Sequence, residues 1–335
     1  MPKLNNKIIV ILGPTSSGKS SVAIKLAQKL NGEIISADSR QIYRGMDIGT
    51  GKIKPDQPGE IPQDFADQGK IYAGSIPFIS EGIIHHMLNI VSPKTNFSAA
   101  QFKKKADKII KDASGRGKLP IICGGTGFWI KAIVDNVIYP EVKPDWKLRE
   151  KLEKKSAEEL FAMLKKMDSR RAKNIDAKNK IRLIRAIEIC KTLGKVPIPL
   201  APSLCKPAHL WRGEGWGEVD FLQIGIDIPK EKLHKNIKKR LKQRFSQGMI
   251  EEIEILRKKY KLSWKKIQNF GLSYGLIPQY LKGEIKSEKE LFEKIFQAEK
   301  DYAKRQMTWF KKDKRIIWLK NYIEIKREVL DFLAQ

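Results

Sequence analysis

The run Gly13-Pro14-Thr15-Ser16-Ser17-Gly18-Lys19-Ser20 carries the clearest chemistry in the chain. Its spacing, G-x-x-x-x-G-K-[ST], suits a loop that wraps phosphate oxygens. The glycines let the backbone curl so that its amides converge. Lys19 adds a charge, and Ser20 offers a hydroxyl for Mg²⁺. The loop by itself does not say whether it holds a nucleotide or another diphosphate. A second chemical group follows at Asp38, within Ser36-Ala37-Asp38-Ser39-Arg40-Gln41. A carboxylate there can bind metal, orient an attacking group or accept its proton. It can also do no more than cap a turn.

These groups need a rigid frame. The apolar run Lys7-Ile8-Ile9-Val10-Ile11-Leu12 predicts a strand before the loop, and Val22, Ile24, Leu26 and Leu30 predict a helix after it. Ile34 and Ile35 predict a second strand, with Asp38 just past its carboxyl end. In a doubly wound sheet that end opens on the same crevice as the phosphate loop. Leu119 to Cys123 predicts another buried strand, running into Gly124-Gly125-Thr126-Gly127 and a helix from Phe128. The fold class is therefore α/β, a P-loop NTPase-like parallel sheet flanked by helices.

The rest of the chain is read in order. Residues 51–82, rich in Gly, Pro, Asp and Gln, predict a long surface excursion, with regular structure resuming near Ile83. Ser98 caps a helix whose inner face is Phe102, Ala106, Ile109 and Ile110. Residues 143–195 are helical in pattern and heavily charged, which sets an inserted helical domain (141–200) between the first part of the core (1–140) and its remainder (201–335). Arg182 and Arg185 share a helical face there, as a solvated surface or a phosphate contact. Residues 197–217, with Trp211 and Trp216, predict a loop. A strand follows from Val219 to Asp227, then a helix with Arg240 and Arg244 one turn apart. Trp264, Phe270, Tyr274 and Tyr280 are expected as core aromatics, with a base-stacking surface as the alternative. A long helix from about Glu288, a short strand at 316–319 and a last amphipathic helix complete the pattern.

Composition narrows the partners. Of 335 residues 41% are apolar, enough for a sizeable core, and the formal net charge is +28. Residues 1–140 hold 19 Lys and Arg against 11 Asp and Glu, a net +8, while residues 141–335 hold 47 against 27, a net +20. Such an excess suits an extended polyanion, with a generally lysine-rich surface as the alternative. Cys123, Cys190 and Cys205 lie far apart with no C-x-x-C spacing, which fits a reducing cytoplasm and neither a disulfide framework nor a zinc site. No metal is expected at the His85-His86 pair. No signal-like segment or membrane-length apolar run is seen, so a cytoplasmic, membrane-free protein is expected, working as a monomer.

Taken together, Gly-Pro-Thr-x-x-Gly-Lys-Ser, Ser36 to Tyr43, Gly45-Met46-Asp47-Ile48-Gly49-Thr50, Gly124-Gly125-Thr126, Arg182-Leu183-x-Arg185-Ala186-x-Glu188 and Ala303-Lys304-Arg305-Gln306-x-Thr308-Trp309 resemble the bacterial tRNA dimethylallyltransferases over nearly the whole chain. The resemblance implies transfer of a dimethylallyl group from dimethylallyl diphosphate to the exocyclic amine of the adenosine 3′ of the anticodon. It implies that Gly13 to Ser20 cradle the diphosphate, that Lys19 and Arg244 stabilise it with Mg²⁺ at Ser20, and that Asp38 is the general base. It places tRNA contacts at Asp38, Ser39, Arg40, Gln41, Thr126, Arg149, Ile181, Arg182, Leu183, Ile184, Arg185, Lys304 and Arg305. The chain departs from the family where it reads Gly271-Leu272-Ser273-Tyr274 for G-Y-R-E, Ala298-Glu299-Lys300 for A-T-R, and in a longer 51–82 excursion.

Two other readings compete. A P-loop kinase for a nucleoside or small metabolite accounts for Gly13 to Ser20 and, loosely, for Asp38, but not for the basic helical insertion or Lys304-Arg305-Gln306. A non-catalytic RNA-binding P-loop protein leaves Asp38 and Arg244 without work.

Overall fold

The computed structural model describes residues 7–56, 78–196 and 219–335. Most of the 51–82 excursion, the 197–217 loop and Cys205 lie outside the described residues. The chain divides into two compact units, Met1–Asn136 with Ala208–Gln335, and Val137–Pro207.

The larger unit is built on a seven-stranded sheet: β1 (Lys7–Leu12), β2 (Gly32–Ser36), β3 (Phe78–Ser80), β4 (Ile83–His86), β5 (Leu119–Gly124), β6 (Asp220–Ile226) and β7 (Ile317–Leu319). Its order is β3-β4-β2-β5-β1-β6-β7, with only β3 antiparallel. Parallel strands with helices on both faces are apolar on both faces, which is why β1 reads as an unbroken apolar run. Ile8, Val10 and Leu12 face one core, and Ile9 and Ile11 face the other. The first core is covered by α2 (Ala99–Gly115), α3 (Gly127–Val134) and helices after β6; the second by α1 (Lys19–Leu30) and the terminal α13 (Tyr322–Ala334). Ser98 caps α2 with a reciprocal Gln101 contact, and Phe102, Ala106, Ile109 and Ile110 are buried as expected.

Regular structure resumes earlier than Ile83. Phe78–Ser80 pairs back onto β4 through Glu81 and Gly82, both at positive φ (52° and 71°), a two-residue hairpin whose three-residue strand is too short to show a period. Inside β2, the buried Glu33 accepts from Arg116 at 2.6 and 2.8 Å, and His86 Nε2 lies 2.7 Å from it. Burial alone would raise the Glu33 pKa, but hydrogen bonds from Arg116 and His86 bring it down to about 2. Among the described residues no cluster of His, Cys, Asp or Glu could hold a metal ion, and no helix is long and apolar enough to cross a membrane.

The smaller unit has four described helices, α4 (Trp146–Glu153), α5 (Ala157–Met167), α6 (Ser169–Lys173) and α7 (Lys180–Leu193). They close on Leu152, Leu160, Leu164, Leu183 and Ile187. Glu188, 1% exposed, is the unit's polar centre. It accepts from the Asp145 amide at 2.7 Å and from Arg149 at 2.7 and 2.9 Å, and it pairs with Arg185.

After β6 the larger unit adds α8 (Lys230–Ser246), α9 (Met249–Lys258), α10 (Trp264–Gln268), α11 (Ser273–Leu281) and α12 (Glu288–Phe310). Phe270 and Tyr274 are buried core aromatics, and Trp264 and Tyr280 pack partly buried against the same core.

Candidate functional site

At the carboxyl ends of β1, β2 and β5 lies a cavity of about 470 Å³. The phosphate loop, the segment after β2, residues 49–51, α8 and α12 all reach it. Gly13 and Gly18 take φ of 153° and 91°, conformations that glycine adopts without strain, and Ser16 stands in the left-handed region at 61°. The Pro14 carbonyl accepts from Ser17 N at 3.3 Å and from Lys19 Nζ at 3.1 Å. No side chain caps α1, so the amides of its first turn stay open to an anion. Lys19 and Ser20 line the cavity, and burial draws the Lys19 pKa down. Beneath them Cys123 is pushed up to about 11 by burial, a neutral thiol.

Asp38 is a turn former with one oxygen to spare. Its Oδ1 accepts from Arg40 N at 2.8 Å and, at longer range, from Gln41 N at 3.4 Å. Oδ2 receives no hydrogen bond from a described residue, and the side chain lines the cavity. Ser39 N donates to Thr126 Oγ1 at 3.1 Å, which ties this loop to the glycine loop after β5. Arg40 donates Nε to the Phe270 carbonyl at 2.8 Å and lies over that ring; Gln41 reaches Thr50 O at 3.4 Å.

Sequence reasoning missed Gln306. Its Oε1 accepts from Thr15 N at 2.8 Å and its Nε2 donates to Gly125 O at 2.9 Å, so one side chain joins the phosphate loop to the second glycine loop. The glycines leave room for it: a Cβ on Gly125 would sit 2.3 Å from Gln306 Nε2. Glu252 was missed too. It accepts from the amides of Asp47, Ile48 and Gly49 at 2.7, 2.6 and 3.1 Å and from Tyr274 Oη at 2.7 Å. Tyr274 is one of the departures from the family pattern, and burial followed by the Glu252 charge raises its pKa well above the usual value.

The two arginines of α8 part company. Arg244 donates to Gly49 O at 2.8 Å and forms an ion pair with Glu299, another departure from the family pattern. Arg240 instead donates to Thr15 Oγ1 at 3.3 Å and to Gly51 O at 2.5 Å, with no carboxylate in ion-pair reach among the described residues. The guanidinium beside the phosphate loop is thus Arg240, and Arg244 spends its charge on Glu299. The helical period put both on one face; only a partner 55 positions later on another helix separates them.

The remaining expected contacts divide by burial. Lys304 and Arg305 are exposed on α12. In the smaller unit Ile181 is 81% exposed and Arg182 is exposed, whereas Leu183 and Ile184 are core side chains at 0% and 6%. A surface contact from that segment therefore falls to Ile181, Arg182 and Arg185, because Leu183 and Ile184 pack inward. Arg149 is held by Glu188 and lies over the Trp146 ring at 5.2 Å.

Comparison with known proteins accords with this geometry. Residues 77–313 match the family described as IPP transferase, and residues 6–89 match Isopentenyl transferase. The tRNA dimethylallyltransferase of Acetivibrio thermocellus is 38% identical over 322 residues, covering 94% of this chain and 91% of that protein. The tRNA δ(2)-isopentenylpyrophosphate transferase of Staphylococcus epidermidis superposes with a TM-score of 0.63 at 33% identity, over 98% of this chain and 99% of that one. The full-length tRNA isopentenylpyrophosphate transferase of Bacillus halodurans gives a TM-score of 0.64 at 28% identity, over 98% and 96%. The chain belongs to the IPP transferase family, among the tRNA dimethylallyltransferases.

Proposed function

We propose that the protein transfers a dimethylallyl group from dimethylallyl diphosphate to the exocyclic N6 amine of the adenosine 3′ of the anticodon in tRNA, releasing diphosphate. The observation that carries the reading is one cavity holding a phosphate loop with an uncapped helix start, the Arg240 guanidinium on Thr15, and the free Oδ2 of Asp38. A kinase reading uses the loop alone and is not favoured, because the relatives matched along nearly the whole chain are prenyl transferases.

The chemistry follows from the residues. Breaking the allylic C–O bond leaves both electrons on the diphosphate, and the α1 amides, Lys19 and Arg240 stabilise that charge. The new C–N bond forms as the amine loses a proton, which passes to the Asp38 carboxylate. A stacked base is out of reach, so the adenosine is extruded toward the cavity. The donors present suit Mg²⁺: Ser20 offers a hard hydroxyl oxygen at the cavity, and phosphate oxygens and water would supply the rest of the shell. When bound, Mg²⁺ adds positive charge to the leaving diphosphate. The basic smaller unit and exposed Lys304 and Arg305 supply backbone contacts to the anticodon arm.

Mass spectrometry of nucleosides from tRNA incubated with the protein, Mg²⁺ and dimethylallyl diphosphate tests this. The expected product is N6-dimethylallyladenosine next to the anticodon. Unmodified tRNA, together with phosphoryl transfer from labelled ATP to a small acceptor, would replace this reading with the kinase.

A further inference from the structure

Two acidic side chains lie among the cations that line the cavity, Asp38 and Glu299, and the proposed reaction uses only the first. Glu299 is 4% exposed and its ion-pair partner Arg244 is 6% exposed. Removing such a charge pair from water is costly, so its retention calls for a reason other than stability. Arg244 is also incompletely satisfied: Nη1 donates to Gly49 O and Nη2 to Glu299, while the buried Nε has no acceptor. One turn earlier on α8, Arg240 holds only neutral acceptors, the Thr15 hydroxyl and the Gly51 carbonyl. Two guanidiniums a helical turn apart therefore face one cavity, one neutralised and the other not. The neutral acceptors also tie the pair together, since Gly49 and Gly51 belong to one short loop. Burial, then the charge of Arg244, lowers the Arg240 pKa, and Glu299 opposes that shift, so the three groups sense one another.

We propose that Glu299 is a positioning residue that withholds Arg244 from the diphosphate, cancelling its charge and fixing it on Gly49, so that of the two α8 guanidiniums only Arg240 joins Lys19 on the leaving group. The proposal rests on reading the cavity as a diphosphate site. A further free cation there would bind substrate and product diphosphate alike, and uniform binding adds nothing to the chemical step. It would also slow product departure, which limits turnover in many enzymes.

The test is calorimetry with inorganic pyrophosphate and Mg²⁺, beside steady-state kinetics and a thermal melt. Glu299→Gln keeps the shape and removes the charge. It should bind pyrophosphate about tenfold more tightly than wild type, with a lower KM for dimethylallyl diphosphate and a kcat no higher. A purely structural role predicts a lower melting temperature with pyrophosphate affinity unchanged or weakened, and that result overturns the proposal. The double variant Arg244→Met with Glu299→Gln covers the case in which the single variant does not fold, because it removes the buried charges together. It should bind pyrophosphate within about threefold of wild type; a loss greater than about tenfold would mean that Arg244 itself grips the diphosphate, and the proposal falls. If wild type binds no pyrophosphate, the diphosphate reading fails and carries this one down with it. Wild-type binding with no tightening in Glu299→Gln overturns this inference alone.

Discussion

Gln306 and Thr15 stand 291 positions apart, yet the Gln306 side-chain oxygen accepts the Thr15 amide hydrogen at 2.8 Å. With its Nε2 on Gly125 O, Gln306 sets the phosphate loop relative to the glycine loop that holds Ser39 through Thr126. The late Lys304-Arg305-Gln306 motif therefore has two kinds of residue: exposed cations, and a buried amide that braces the site.

Gln306→Leu should remove both ties and leave Thr15 N and Gly125 O without partners. We expect a stability loss of about 1–3 kcal/mol and a fall in kcat/KM of at least tenfold. Gln306→Glu keeps the Thr15 contact and loses the donor to Gly125 O. A variant series in which kcat/KM tracks the melting temperature alone would reduce Gln306 to a packing role.

Asp38→Asn should lower kcat by roughly 10²–10⁴-fold while leaving substrate affinity nearly intact. The structure makes this substitution informative, because Asn can keep the Oδ1 contact to Arg40 N that shapes the turn. Single-turnover kinetics at saturating substrates measure the step directly. A fall of less than about threefold, under 1 kcal/mol, would exclude proton acceptance as its task.

Gly124→Ala should be among the more damaging small substitutions in the sheet. Its Cβ would lie 2.3 Å from the Ala37 carbonyl oxygen, and backbone in a central strand cannot step aside. We expect at least about 1–3 kcal/mol of destabilisation by chemical denaturation. At Gly18 a Cβ meets nothing within 4 Å but φ is 91°, so Gly18→Ala tests strain without a clash.

Glu33 predicts a pH dependence. Its folded pKa of about 2 lies below the ordinary 4.5, so the stability it contributes is present above pH 4.5 and is lost as pH falls through 4.5 toward 2. The shift corresponds to up to about 3 kcal/mol. Glu33→Gln should lower stability at pH 7 and flatten the acid limb of a stability–pH curve. An unchanged slope between pH 5 and 3 would contradict the assignment.

In the smaller unit, Arg182→Ala should weaken tRNA binding and reduce its salt dependence by about one phosphate contact, without altering affinity for dimethylallyl diphosphate. Arg185→Ala carries a structural cost as well, since Arg185 helps Arg149 neutralise the buried Glu188. Filter binding across a salt series, beside a thermal melt, separates the two. An unaltered salt slope in Arg182→Ala would make Arg182 a solvated side chain.

Much of the frame was legible because parallel strands leave a blunt mark. β1 and β5 are apolar on both faces, and a strand, a glycine-rich turn and a helix in that order place the phosphate loop. Asp38 was legible from its place just beyond β2. The finer wiring was not, because it depends on pairs remote in sequence. Nothing local distinguishes Arg240 from Arg244 until Glu299 is seen beside the second. Glu252 gives no local sign that three amides of the 47–49 loop converge on it. Leu183 and Ile184 could have been assigned inward, since with Ile187 and Cys190 they follow helical spacing.

The order of the strands also governs how the chain can assemble as it is made. β1 pairs with β5 on one side and β6 on the other, and 95 residues separate Gly124 from Asp220. At about 5–20 residues per second, a ribosome needs on the order of 5–20 s to deliver the missing neighbour. Through that interval one flank of the apolar β1 has no strand beside it, an edge that invites pairing with other nascent chains. The smaller unit, emerging in the same interval, has its own core and can condense first. Gln306 arrives later still, so the phosphate loop acquires its brace only after β6 has been delivered.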